Sequence, residues 1–354
     1  MKCYHFYRPS NYLSIVLAVA LFLLISQKVF SQGPVPYLSD PNLTPEVKHF
    51  LKGLNENGRP LESLTAIEAR KILFDGQASA KVDLSGIEVT PTTITTEGYT
   101  IPLFVVKPAG TKNKVLPAFL FIHGGGWVLG DFPTHQRLVR DLVVHSGVAA
   151  VFVDYTRTPD AVFPRAINEI LAATKWIAAH GNEIGVDGKR LAIAGNSVGG
   201  NMTAVTAIRA KESGGPDIRG LVLLWPIVDA NFETASYKQF GRDRFLTTST
   251  MIWMFDMYVK DRAKQKQVYA SPLNASIEQL RGLPPTLIQV AENDVLRDEG
   301  EAFGRKLSEA GVKVTTIRYN GVIHDWGMLN GLAGIPETRA LILHAAAELK
   351  EYLK

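Results

Sequence analysis

Leu191-Ala192-Ile193-Ala194-Gly195-Asn196-Ser197-Val198-Gly199-Gly200-Asn201-Met202-Thr203-Ala204-Val205 is the stretch from which the fold is read. An apolar run, a Gly-x-Ser-x-Gly turn and an alanine-containing helical pattern follow one another, which is the order of a nucleophile elbow. The flanking glycines are needed because the serine backbone is held in a strained turn. A Cβ at either glycine would collide with a neighbouring strand or helix. Ser197 is therefore expected to stand beyond a strand, at the amino end of the next helix. Five residues of pattern are modest evidence alone, and the apolar run before them and the helix after them strengthen the reading.

Outward from the elbow, the chain repeats one theme of apolar strand, turn and helix. Strands are expected at 118–122, 149–153, 191–194, 220–225, 285–290 and 314–319, with helices at 133–145, 166–180, 201–211, 299–310 and 337–354. Strands alternating with helices imply an α/β fold: a mostly parallel sheet covered on both faces, with ligands bound at the strands' carboxyl ends. Ahead of it, segments 92–96 and 101–106 alternate like strands around Glu97-Gly98-Tyr99, a hairpin signal.

Residues 32–88 read as a helical cap segment. Thr44-Pro45-Glu46 starts one helix, with Val47, Phe50, Leu51 and Leu54 on one face, and Thr65-Ala66-Ile67-Glu68 is a capping box opening a second. These helices are expected to cover a pocket, the alternative being that they pack on its rim. A cap insertion is expected at about 228–280, where Met251-Ile252-Trp253-Met254-Phe255-Asp256-Met257-Tyr258 forms a bulky helix. Its methionines and aromatics suit either plain packing or an adaptable wall for an acyl group, and Trp127, Trp253 and Met254 are the expected pocket residues.

A serine alcohol needs a base, a group to orient the base, and donors for the oxyanion. In this architecture the order is Ser, then Asp or Glu, then His. Only His324 and His344 lie late enough; His344 sits in a regular helical stretch, so His324, in the loop after the last strand, is the expected base. Asp294, just past the strand at 285–290, is the expected orienting acid. Asp298 reads as a helix cap, and Asp325 as too near His324 in sequence to face its ring. His123-Gly124-Gly125-Gly126-Trp127 follows a strand, and the amides of Gly124, Gly125 and Gly126, with that of Val198, are expected to form the oxyanion hole. A phosphate loop is disfavoured, because no Gly-Lys-Ser/Thr follows the glycines.

These motifs resemble the hormone-sensitive-lipase-like branch of the α/β-hydrolase esterases, from about Ile87 to the carboxyl terminus. His123-Gly124-Gly125-Gly126-Trp127 is similar to the family's oxyanion motif, and residues 195–201 match the elbow it usually writes Gly-Asp-Ser-Ala-Gly-Gly-Asn. Asp154-Tyr155-Thr156-Arg157-Thr158-Pro159-Asp160, Phe163-Pro164 and Ser271-Pro272-Leu273 also fit. So does Asp294-Val295-Leu296-Arg297-Asp298-Glu299, whose first aspartate the family uses as triad acid. The departures are Asn196 for Asp, Val198 for Ala, Thr156-Arg157 for Arg-Leu, and His324-Asp325-Trp326 where the family often has His-Gly-Phe. The resemblance implies hydrolysis of short to medium acyl esters, a helical cap, and no metal or other cofactor. Val198 places a branched side chain beside the nucleophile and bears on acyl preference. An amidase, peptidase or carbohydrate deacetylase with the same triad remains open. A ligand-binding protein, as the plant gibberellin receptors of this family are, is disfavoured by the presence of His324.

Composition sets the remaining bounds. The 354 residues are 46% hydrophobic and 20% charged, ordinary for one large α/β domain, here expected at 89–354. Residues 1–31 differ: Lys2 and Arg8 precede an apolar run over residues 12–25, and Val29-Phe30-Ser31 offers small residues for cleavage. Export with cleavage after Ser31 is expected, since some fourteen apolar residues are short for a span of ~20. The alternative is a retained anchor. Loss of Lys2, Arg8 and Lys28 lowers the formal charge from +4 to +1, so the basic character belongs to the leader. Nucleic acid and anionic membranes are thereby disfavoured as partners, a small ester is expected, and oligomeric state is not legible. Cys3 is the one cysteine, which leaves the mature chain without disulfides or a thiol nucleophile.

Overall fold

The expected alternation closes into one eight-stranded sheet with helices on both faces. The computed structural model describes residues 1–3 and 35–354, so the apolar run and cleavage point of the leader lie outside the described residues. The strands are β1 (Ile87–Thr96), β2 (Tyr99–Pro108), β3 (Leu116–Ile122), β4 (Ala149–Val153), β5 (Val186–Asn196), β6 (Leu221–Leu224), β7 (Thr286–Asn293) and β8 (Val314–Ile323). Their spatial order is β1-β2-β4-β3-β5-β6-β7-β8. β1 and β2 form the antiparallel hairpin and β2 also meets β4 antiparallel, while every later pairing is parallel. This is the α/β-hydrolase fold.

The helices are α1 (Pro45–Asn57), α2 (Ala66–Ala78), α3 (Phe132–Ser146), α4 (Arg165–His180), α5 (Val198–Glu212), α6 (Ala235–Phe240), α7 (Thr248–Tyr258), α8 (Ile277–Leu280), α9 (Arg297–Glu309) and α10 (Pro336–Tyr352). Successive strand side chains point to opposite faces, so the central strands, apolar at nearly every position, feed two separate cores. Leu120, Val151, Ile193 and Leu223 pack with Ile167 and Ile170 of α4 and Val205 of α5. Phe119, Phe121, Phe152 and Val222 pack with Leu138 and Leu142 of α3 and Leu341 of α10.

The amino-terminal helices start as their sequence requires: the Thr44 hydroxyl accepts from Val47 N–H ahead of Pro45, and Thr65 with Glu68 forms a reciprocal capping box. They are tied to loops at the carboxyl edge of the sheet. Arg70 Nε donates to Val128 O (2.8 Å) and its Nη2 to Thr158 O (2.9 Å), while Gln77 Nε2 donates to Met328 O (3.0 Å). Asp40 pairs with Arg244 at 2.7 Å, both side chains buried. Within 228–280, α7 buries Met251, Met254, Phe255 and Tyr258.

Two local expectations change. Asp298 is not the cap of α9: Leu296 occupies that place, and Asp298 lies inside the first turn, accepting from Ser236 N–H at 2.7 Å. β8 runs on to Ile323 through a register shift against β7, so His324 follows a strand directly instead of sitting in mid-loop.

Candidate active site

Parallel strands deliver their carboxyl ends to one edge, and the residues of chemical interest are each the next residue after a strand. His123 follows β3, Ser197 follows β5, Asp294 follows β7 and His324 follows β8. Ser197 adopts φ 55° and ψ −120°, a conformation rare for a residue with a side chain. The steric reason for its glycines is direct. A Cβ on Gly195 would strike the Gly199 backbone, and one on Gly199 would strike the Ile122 carbonyl of β3.

Ser197 Oγ lies 3.0 Å from His324 Nε2, and His324 Nδ1 lies 2.7 Å from Asp294 Oδ2. A carboxylate can only accept, so Nδ1 carries the hydrogen and Nε2 is left to accept the serine hydroxyl. Asp294 Oδ1 accepts from Leu296 N–H at 3.0 Å, so both of its oxygens are held. All three side chains are nearly solvent-free. Burial alone would lower the His324 value, but the Asp294 and Asp325 carboxylates and the hydrogen bond to Asp294 outweigh it, leaving the imidazole above its ordinary 6.5.

Beside Ser197, the glycine loop turns with φ 107° at Gly125 and 62° at Gly126. Among the described residues no protein acceptor pairs with the amides of Gly125, Gly126 or Val198, the last of these being an orphan donor of the first turn of α5. Gly124 is a correction: its N–H donates to Asn196 Oδ1 at 2.9 Å and is not free for an oxyanion. The loop is backed by His123, whose Nδ1 lies 2.8 Å from Gly124 O. Burial, followed by the neighbouring His135, pushes the His123 imidazole well below its usual value, so it is a neutral anchor.

Of the expected pocket residues, Met254 lies against the loop, because a Cβ on Gly126 would run into its thioether. Trp253 lines an outer groove of about 500 Å³ with Glu62, Ser249, Ile252, Asp256 and Met257, none of which belongs to the Ser-His-Asp set. Trp127 departs from expectation. It is fully buried, stacked on Tyr258 at 4.3 Å, and supports the loop from behind instead of forming an open wall. Asp325, set aside on sequence grounds, lies at the site: its Oδ1 accepts from Asn196 Nδ2 (3.0 Å) and Trp225 Nε1 (2.5 Å), and its Oδ2 is 3.7 Å from His324 Nε2. The one signal for it was the pair of departures at 196 and 325. Among the described residues no group of three or more His, Cys, Asp or Glu is placed to hold a metal ion.

Such a site can pass a proton from an alcohol to an imidazole and receive an oxyanion on backbone amides, the requirements of acyl transfer. Comparison with known proteins points to ester hydrolysis. The sequence model of the α/β-hydrolase fold matches residues 119–328. A crystal structure of a thermostable esterase from Pseudomonas putida ECU1011 is similar at TM-score 0.88 and 58% identity, covering 89% of this chain and 99% of that one. A fungal esterase structure from Rhizomucor miehei is similar at TM-score 0.84 and 39% identity over 88% and 97% of the two chains. The ethyl acetate hydrolase of Pseudomonas putida is 31% identical over 80% of this chain and 92% of its own length. The chain belongs to the α/β-hydrolase-fold family, in its hormone-sensitive-lipase-like branch, and is a carboxylic ester hydrolase.

Proposed function

We propose that the protein is an exported serine esterase that cleaves carboxylic esters of short to medium acyl length through an acyl-serine intermediate. The observation carrying this is the continuous line from Asp294 through His324 to Ser197, at 2.7 and 3.0 Å. His324 Nε2 takes the hydroxyl proton as Ser197 Oγ attacks the ester carbonyl, and the amides of Gly125, Gly126 and Val198 receive the oxyanion. The imidazolium then protonates the leaving alcohol. Water, deprotonated by the same nitrogen, releases the acid from Ser197. Met254 against Gly126 favours a small acyl group, in line with the name of the ethyl acetate hydrolase relative. The basic start and apolar run of the leader support export.

The deciding experiment is Ser197→Ala assayed on aryl esters of graded acyl length, beside fluorophosphonate labelling of the unaltered protein. Loss of turnover with label on Ser197 supports the reading, whereas turnover by the variant overturns it. Amino-terminal sequencing of the protein recovered from its source organism tests export: a chain starting at Gln32 agrees, and one retaining Met1 does not.

A further inference from the structure

Asn196 ends β5 while Gly124, Trp225 and Asp325 lie just past β3, β6 and β8, and one set of hydrogen bonds joins the four. The Asn196 amide has no freedom to flip. Its oxygen faces the Gly124 N–H at 2.9 Å and its nitrogen faces Asp325 Oδ1 at 3.0 Å. Trp225 Nε1 donates to the same Oδ1 at 2.5 Å. Asp325 holds φ 59°, so the backbone after His324 is itself turned to bring this side chain inward.

We propose that Asp325 is a second carboxylate acting on His324: a positioning residue that fastens the histidine loop to the elbow and steadies the imidazolium from its Nε2 side. This rests on the Ser197–His324–Asp294 reading. Asp294 occupies the Nδ1 side at 2.7 Å, and Asp325 Oδ2 stands 3.7 Å from Nε2, the nitrogen that gains the serine proton. Both carboxylates are buried, where charge acts more strongly than in water.

The other charged or titratable groups are placed differently. Glu299 of α9 and Tyr237 of α6 lie on the Asp294 side, and burial holds Glu299 well above its usual value. On the α3 side, His135 is held low by burial, and Arg137 is spent on Asp141 (3.1 Å), the Gly327 carbonyl (2.6 Å) and Asn330 (3.2 Å). Asp325 is thus the carboxylate at the reacting nitrogen. The neutral amide at 196 follows from it, since an aspartate there would face a second carboxylate at 3.0 Å.

The test is kcat and KM against pH on a short aryl ester for the parent, Asp325→Asn and Asn196→Asp/Asp325→Asn, with thermal unfolding and fluorophosphonate labelling of each. Asp325→Asn keeps an oxygen for Asn196 and Trp225, while the exchanged pair restores the bonds from residue 196 to Gly124 and to residue 325 but turns an amide N–H toward Trp225; both remove the charge from beside Nε2. In Asp325→Asn the acid limb of kcat/KM is expected to move to lower pH by about half a unit to one unit, with kcat down about tenfold and KM within about twofold. The exchanged pair is expected to regain neither the parent acid limb nor its kcat, with a Tm below that of the parent because the Trp225 N–H loses its acceptor. An unmoved limb and kcat in Asp325→Asn, or full recovery of both in the exchanged pair, overturns the proposal. Should Asp325→Asn fail to fold, the exchanged pair decides the matter alone. Absence of label on Ser197 in the parent protein would instead remove the underlying triad reading.

Discussion

Asp294 grips His324 through Oδ2 at 2.7 Å while its Oδ1 is held by the Leu296 amide at 3.0 Å, so the acid that orients the base is itself anchored to the first residues of the next helix. Neither oxygen is left to rotate away. The imidazole therefore has one tautomer that satisfies its neighbours, with the lone pair directed at Ser197.

Asp294→Asn follows from this. An amide nitrogen facing Nδ1 would favour the opposite tautomer, leaving Nε2 protonated and unable to take the serine proton. A fall in kcat of about 10⁴-fold is expected with little change in fold. Steady-state kinetics beside circular dichroism checks it.

The pH dependence has a definite sign. His324 lies above its ordinary 6.5 because its carboxylate partners outweigh burial. Neutral imidazole is the working form, so kcat/KM is expected to fall as pH drops through a value above about 6.5. Linkage runs the other way for stability. A raised histidine contributes fully below about 6.5 and loses that contribution as pH rises through the folded value. A pH–rate profile and Tm measured over the same range would show activity rising where this contribution fades.

Gly126→Ala meets two obstacles, the Met254 thioether and a φ of 62°. Displacing this amide is expected to lower kcat about 10²-fold, near the loss of one oxyanion donor. Met254→Ala in the same chain removes the clash but not the backbone strain, so partial recovery is expected. Equal kcat for the single and double variants would show that the clash plays no part.

Arg70 binds the carbonyls of Val128 and Thr158, and Val128 closes the turn begun at Gly125. Arg70→Ala is expected to cost about 2 kcal/mol and lower Tm by a few degrees. It should reduce kcat more than it raises KM, because the oxyanion loop loses its outer tie. Thermal unfolding and steady-state kinetics on one preparation check both.

Much of this is legible in the sequence. The stretch around Ser197 specifies its own shape, because a serine at φ 55°, with the end of β3 and the elbow's own backbone pressed against its neighbours, tolerates only glycine on either side. The near-continuous apolar runs of β3, β4 and β6 announce strands buried on both faces, and short turns between strand and helix imply a parallel sheet. Once the sheet is parallel, residues just after strands share an edge, which is why Asp294 and His324 could be singled out from their order in the chain.

What tertiary structure alone decided is how polar groups are paired. The sequence determined that Gly124, Asn196, Asp325 and Arg70 possess donors or acceptors. That Gly124 spends its amide on Asn196, that Asp325 accepts from Asn196, and that Arg70 ties down Val128 depend on atoms meeting across 72, 129 and 58 residues of chain. A glycine or an apolar run carries its constraint locally, in sterics and in preference for burial. A hydrogen bond needs a second partner at fixed distance and angle, and only the folded chain places it there.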